Sequence, residues 1–165
     1  MYKRQPNKIV EPVVSSGGFL HGHTYASNPL SCAIANAVLN EVIENNLIEN
    51  AQIVGDYLKK GLERLASQQS IIGDVRGKGL LLAVEIVSNA RTKSMFNMDQ
   101  RAIYRISELG IKNGILLYTR KTAKGENGEW LMIAPPLIST TDQCDDFLSR
   151  LNETLRDFQK EQGII

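Results

Sequence analysis

Residues 21–29 read His-Gly-His-Thr-Tyr-Ala-Ser-Asn-Pro: a glycine between two histidines, a Thr-Tyr pair and a Ser-Asn-Pro entry into a helix. Proline suits the first helical position, because its φ is already helical and the N–H it lacks would be unpaired there. Asn28, just before it, can cap the helix by accepting a bond from a free backbone N–H. Thr24 and Ser27 then stand just outside a helix N-terminus, where free N–H groups and the positive dipole end favour an anion. On residue types alone this is a place for a phosphate. The competing reading makes Thr24 a turn residue that helps the cap at Asn28. His21 and His23 are the only histidines. A His-x-His pair could begin a metal site, but no Cys or Asp/Glu cluster lies nearby in sequence to complete the coordination. A structural loop role is expected for both, and no metal.

Arg76 lies in Val-Arg-Gly-Lys-Gly. This is not a Walker phosphate loop, which needs four residues between its first Gly and the Gly-Lys, then Ser or Thr. Arg76 is expected to brace its surroundings through a carboxylate or carbonyls, with Gly77 and Gly79 supplying unusual backbone angles. Cys32 falls among small residues on a helix and is expected to pack in a core.

The elements that must position these residues come from a chain of 165 residues, 42% hydrophobic and 22% charged, long enough for one globular domain with a real core. A formal net charge of +1 gives no reason to expect nucleic acid or an anionic membrane as partner. Two cysteines make no disulfide framework, and no signal peptide or membrane-length apolar run is present, so a cytoplasmic location is expected.

Residues 15–18, Ser-Ser-Gly-Gly, read as a flexible loop. From Pro29, Leu30, Ile34, Ala37, Val38 and Val42 recur at helical spacing and predict a helix over 29–44, broken by Asn45-Asn46. A second stripe predicts a helix over 47–66. Residues 74–76 and 80–87 read as strands joined by a Gly-Lys-Gly turn, and the nearly all-apolar run 80–84 suits a strand covered on part of both faces. A helix over 98–113 stopped by Gly114, a strand over 115–118, a polar loop over 121–129 and a strand over 130–133 follow. Pro135-Pro136 ends the last strand, since neither residue can donate to a ladder. Thr141 or Asp142 caps a final helix that frays near Gly163. Helices interspersed with short antiparallel strands predict an α+β fold with helices on one sheet face.

Three stretches carry a family resemblance. Gly18-Phe19-Leu20, His21 to Pro29 and Leu30-Ser31-Cys32-Ala33 resemble the F-x-HGHTY-x-x-(H/N)-P-L-(A/S)-C-A signature of class III, ω-aminotransferase-like enzymes that use pyridoxal phosphate. Residues 73–80, Gly-Asp-Val-Arg-Gly-Lys-Gly-Leu, and 134–138, Ala-Pro-Pro-Leu-Ile, follow in the family's order. The resemblance covers residues 8–157 and implies the small C-terminal domain of a fold-type I enzyme. Residues 1–7 do not look like the family and read as an artificial start. Residues 8–28 would end the large cofactor-binding domain, 29–46 would be the connecting helix and 47–165 the small α+β domain. It also implies that the Thr24 hydroxyl and amide reach the cofactor phosphate of the other subunit of a homodimer, with Gly22 and Tyr25 beside it. Arg120 lies where many members place an arginine for the substrate carboxylate, which a guanidinium grips through two parallel bonds. A solvated surface arginine is the alternative there. Pro135 and Pro136 would position that loop.

A pyridoxal phosphate aminotransferase needs a lysine to hold the aldehyde as a Schiff base and a carboxylate on the pyridine nitrogen. In the family both precede the HGHTY motif, and Lys8 lies too close to Thr24 to be that lysine. The expectation is therefore a C-terminal fragment of an enzyme passing an amino group from an amine or amino acid to an oxo acid. The missing large domain of the same polypeptide would be its partner, and the fragment would be inactive alone. Alternatives are a related pyridoxal phosphate enzyme (aminomutase, decarboxylase or racemase) or a non-catalytic α+β module that binds or dimerises. The connecting helix has an apolar stripe with no complete partner inside this sequence.

Overall fold

Three helical stripes and one sheet face make the core. In the computed structural model, residues 6–18, 22–122 and 128–165 are described. Residues 1–5, His21 and part of the expected 121–129 loop lie outside them. The chain divides into two units, up to Asn40 and from Glu41 onward.

The first unit holds α1 (Asn7–Ser15) and most of α2 (Pro29–Glu44). Helix α1 ends in a Schellman closure: the Gly18 N–H donates to the Val13 carbonyl at 3.0 Å and that of Gly17 to Val14 at 3.3 Å. Gly17 has φ +109°. The Ser-Ser-Gly-Gly stretch is thus a helix cap, where the composition had predicted a flexible loop. Helix α2 runs where its periodicity predicts, and none of its residues is buried. Cys32 is exposed, against the expectation of a packed core residue. A pattern of apolar residues says that a face seeks cover, and here no residue from 6 to 46 that is described is buried.

In the second unit, α3 (Leu47–Gln68) buries Leu47, Val54, Leu58, Leu62 and Leu65, spaced by three, four or seven residues. Helices α4 (Ala102–Lys112) and α5 (Thr141–Glu161) bury Ile103, Ile106 and Leu109, and Leu148, Leu151, Leu155 and Phe158, in the same manner. The sheet has the order β1-β2-β4-β3, all antiparallel, with β1 Ile72–Lys78, β2 Leu81–Ile86, β3 Tyr118–Lys121 and β4 Glu129–Ile133. The α+β architecture is as the sequence predicts. Leu82, Val84, Ile86, Leu131 and Ile133 are buried on the face that the helices cover. Their alternates Ala83, Glu85, Trp130 and Met132 are half-buried on the open face, and Leu81 is 61% exposed. The strand is therefore fully covered on one face and in part on the other, as its run of apolar residues predicts.

Several boundaries differ from the prediction, and three of them for a clear local reason. The helix expected over 98–113 is interrupted: Met98–Gln100 is a 3₁₀ turn and Arg101 sits at φ +45°, so α4 begins at Ala102. The strand expected over 115–118 starts only at Tyr118. The Ile115 N–H is spent on a Schellman closure to the Gly110 carbonyl at 2.8 Å, with Gly114 at φ +80°. The last helix is capped by Thr140, not Thr141 or Asp142. The Thr140 hydroxyl accepts from the Gln143 N–H at 3.4 Å and the Gln143 side chain accepts from the Thr140 N–H at 3.1 Å, a reciprocal capping box. At its far end the Ile164 N–H donates to Gln159 at 2.9 Å, so Gly163 closes the helix and does not fray it. Thr140→Ala is expected to lower stability by about 1 kcal/mol in urea titrations, with the slope unchanged.

Gly55 lets α3 lie against the β1–β2 turn, since a Cβ there would overlap the Gly79 backbone. That contact holds the Val-Arg-Gly-Lys-Gly segment against the helix layer.

Candidate functional site

Gly22, Thr24 and Tyr25 occupy one exposed segment of the first unit. The Ala26 N–H donates to the His23 carbonyl at 2.9 Å, and that of Asn28 to the Tyr25 carbonyl at 3.1 Å. Two successive turns therefore place Thr24 and Tyr25 at the centre of the first, with Ser27 in the left-handed region at φ +62°. Asn28 is the cap that the sequence predicts, its Oδ1 accepting from the Ser31 N–H at 3.1 Å. The Cys32 N–H takes the Asn28 carbonyl at 2.9 Å. Pro29 has no N–H, so of the first helical amides only that of Leu30 stays outside these bonds. The helix terminus itself thus offers less to an anion than residue types alone imply. What the segment presents is the Thr24 hydroxyl, an exposed neutral donor in a turn. Residues 12–40 contain no Asp, Glu, Lys or Arg. A phosphate placed there meets no carboxylate from its own stretch, and the residue types fit it.

Arg120 belongs to the second unit. On β3 it is the register partner of Trp130 and faces the open side of the sheet. Its guanidinium carbon lies 5.1 Å from the centroid of the Tyr118 ring. Stacking on an aromatic face leaves the fork of donors along the guanidinium edge. It makes no ion pair among the described residues, in contrast to the guanidinium of Arg76 on the opposite edge strand. Arg76 is bound to Asp74 at 2.8 Å and lies 3.9 Å from Glu85, the bracing role expected of it. The Arg76 bond holds the Asp74 carboxyl below its ordinary range.

Sequence reasoning missed an apolar cavity of about 420 Å³ between the ends of β3 and β4 and the start of α5. Leu117, Met132, Pro135, Cys144 and Phe147 are among its walls. The Pro135-Pro136 stop was the signal, since it turns the chain away from the sheet and leaves the space. Cys144 is buried with the core, and that burial pushes its thiol up. Among the described residues no cluster of His, Cys, Asp or Glu could hold a metal, and no helix is long and apolar enough to cross a membrane.

The aminotransferase class-III family profile matches residues 3–155. The uncharacterized aminotransferase YodT of Bacillus subtilis (strain 168) is 36% identical over 157 residues, which is 93% of this chain and 35% of that protein. The leucine/methionine racemase of Thermococcus litoralis is 30% identical over 141 residues, covering 85% of this chain and 30% of the relative. Among solved structures, a transaminase from the marine bacterium Virgibacillus aligns over 94% of this chain and 34% of its own, with a TM-score of 0.82 and 28% identity. The chain spans about a third of the length of these relatives. With a family match across nearly its whole length, the small antiparallel sheet under three helices and the turn bearing Thr24, this chain belongs to the class III aminotransferases.

Proposed function

We propose that the chain is the C-terminal portion of a pyridoxal phosphate-dependent class III aminotransferase. It would move an amino group from an amine or amino acid to an oxo acid. The observation that carries this reading is the contrast between the two units. From Glu41 onward the chain has a core of its own. The described residues before it include none that is buried, yet they carry Leu30, Ile34, Val38 and Leu39 at 55–70% exposure. A helix with so much exposed apolar surface calls for cover from a larger body. The large domain of the same polypeptide is that body in our reading, in a cytoplasmic homodimer. The domain limits read from the sequence, 8–28, 29–46 and 47–165, are retained as part of it.

When bound, pyridoxal phosphate supplies the aldehyde that accepts and returns the amino group. This chain's part is to hold and to shape. The Thr24 hydroxyl and amide donate to the cofactor phosphate across the subunit interface, neutral donors to a dianion. Gly22 leaves room for that approach, and Tyr25 lies beside it. Arg120 grips the carboxylate of an amino acid or oxo acid from the open sheet face. The lysine and the pyridine-pairing carboxylate come from the remainder of the enzyme.

Arg120→Ala in the completed enzyme is expected to raise KM for a 2-oxo acid by about ten- to a hundredfold, the equivalent of ~1.5–3 kcal/mol for a charge-assisted pair. KM for a carboxylate-free amine should stay unchanged. Equal effects on both substrates would remove Arg120 from the site. The 30% identity to a leucine/methionine racemase keeps one neighbouring reading open. It is tested by incubating the completed enzyme with one amino-acid enantiomer and no oxo acid. Loss of optical activity would favour racemisation.

A further inference from the structure

The geometry points to Glu129 and Lys121 as positioning residues for Arg120, a role that rests on the reading of Arg120 as a carboxylate-binding side chain. Strand β4 is fixed against β2 by apolar alternation: Leu82 pairs with Ile133 and Val84 with Leu131, all four buried. A one-residue slip there would turn the whole set outward. Strand β3 has no such pattern. Its four residues, Tyr-Thr-Arg-Lys, are exposed or half-buried, so apolar burial within the strand cannot hold them in place.

Two anchors do. Leu117, just before the strand, is buried at 6% exposure. At the other end the Lys121 ammonium meets Glu129 Oε1 at 2.7 Å, and the two are register partners on the helix-covered face. The Lys121 nitrogen also lies 5.4 Å from the centroid of the Tyr104 ring on α4. Strand alternation then leaves Arg120, the residue between Thr119 and Lys121, on the open face.

This pair is not explained as a stabilising device. Glu129 is 5% exposed, and its second oxygen is buried with no hydrogen-bond partner among the described residues. A half-satisfied buried carboxylate does less for stability than an apolar side chain of similar size, whereas fixing registry is the best attested use of a buried ion pair. Here the registry fixed is that of the strand bearing Arg120.

Backbone amide exchange by NMR on this chain tests the proposal, because it can be read without cofactor or turnover. In Glu129→Gln, protection at Arg120 and at its partner Trp130 should fall at least about tenfold, while Ala83, whose amide faces its partner Arg76 in the β1–β2 pair, keeps its protection. The reversed pair, K121E with E129K, should restore the two amides and also covers the case in which Glu129→Gln alone does not fold. Unchanged protection at Arg120 in Glu129→Gln, or a fall matched at Ala83, would overturn the positioning role. So would failure of the folded reversed pair to restore protection. In the completed enzyme, Glu129→Gln should raise KM for the oxo acid several-fold with kcat nearly unchanged. If the amides respond as expected but neither Glu129→Gln nor Arg120→Ala alters that KM, the reading of Arg120 fails and the registry stands.

Discussion

Truncating Phe158 to alanine is expected to cost about 4 kcal/mol, a large share of the stability of a domain this size. Phe158 is fully buried on α5, the helix that packs against α3 and α4. Its ring meets that of Phe96 edge-on, with centroids 5.4 Å apart and planes at 79°. Removing it loses the transfer energy of a large side chain and leaves a cavity walled by elements that other contacts hold apart. The aromatic pair adds about 1 kcal/mol beyond burial. Urea unfolding followed by far-UV circular dichroism checks this, with a lower midpoint at an unchanged slope. A loss below about 1.5 kcal/mol would mean that the site collapses around the gap and that the core is looser than its burial implies.

The second large effect is an absence of turnover. Supplied with pyridoxal phosphate, an amino donor and a 2-oxo acid, the chain alone is expected to transfer no amino group. A lysine that holds and protonates the reacting centre must be desolvated or placed near another cation. Lys8, which lies before Thr24, is exposed in the first turn of α1, and α1 buries none of its residues. A product assay by chromatography, run against a cofactor-only control, checks it. Turnover above that control would mean that a lysine within these residues does the chemistry.

Much of the fold could be read directly. The stripes of α3 and α5, the break at Asn45-Asn46 and the stop at Gly114 follow from apolar spacing and from the conformations that asparagine and glycine allow. The strand bearing Arg120 was misplaced by three residues, and the cause is physical. Ile115, Leu116 and Leu117 are the apolar run, but the first is committed to closing α4, so pairing begins in the polar residues that follow. Arg101 at positive φ could not be foreseen, since nothing in its residue type favours that conformation. The turn around Thr24 was legible as a cap. Residue types at a helix N-terminus suit an anion; the proposed cofactor phosphate rests on the family resemblance as well. The exposure of Cys32 was hidden for a different reason: periodicity shows which face of a helix is apolar, not what covers it.

In the proposed function, Thr24 serves a cofactor phosphate within a larger enzyme. The most direct measurement is the dissociation constant of pyridoxal phosphate for a fusion of residues 8–165 to the lysine-bearing remainder of the Bacillus subtilis relative, compared with its Thr24→Ala variant. Loss of one hydroxyl donor to the phosphate should weaken binding by roughly tenfold, about 1.5 kcal/mol, while pyridoxal without its phosphate binds both proteins equally. A folded, cofactor-loaded fusion whose affinity is indifferent to Thr24→Ala would contradict the account.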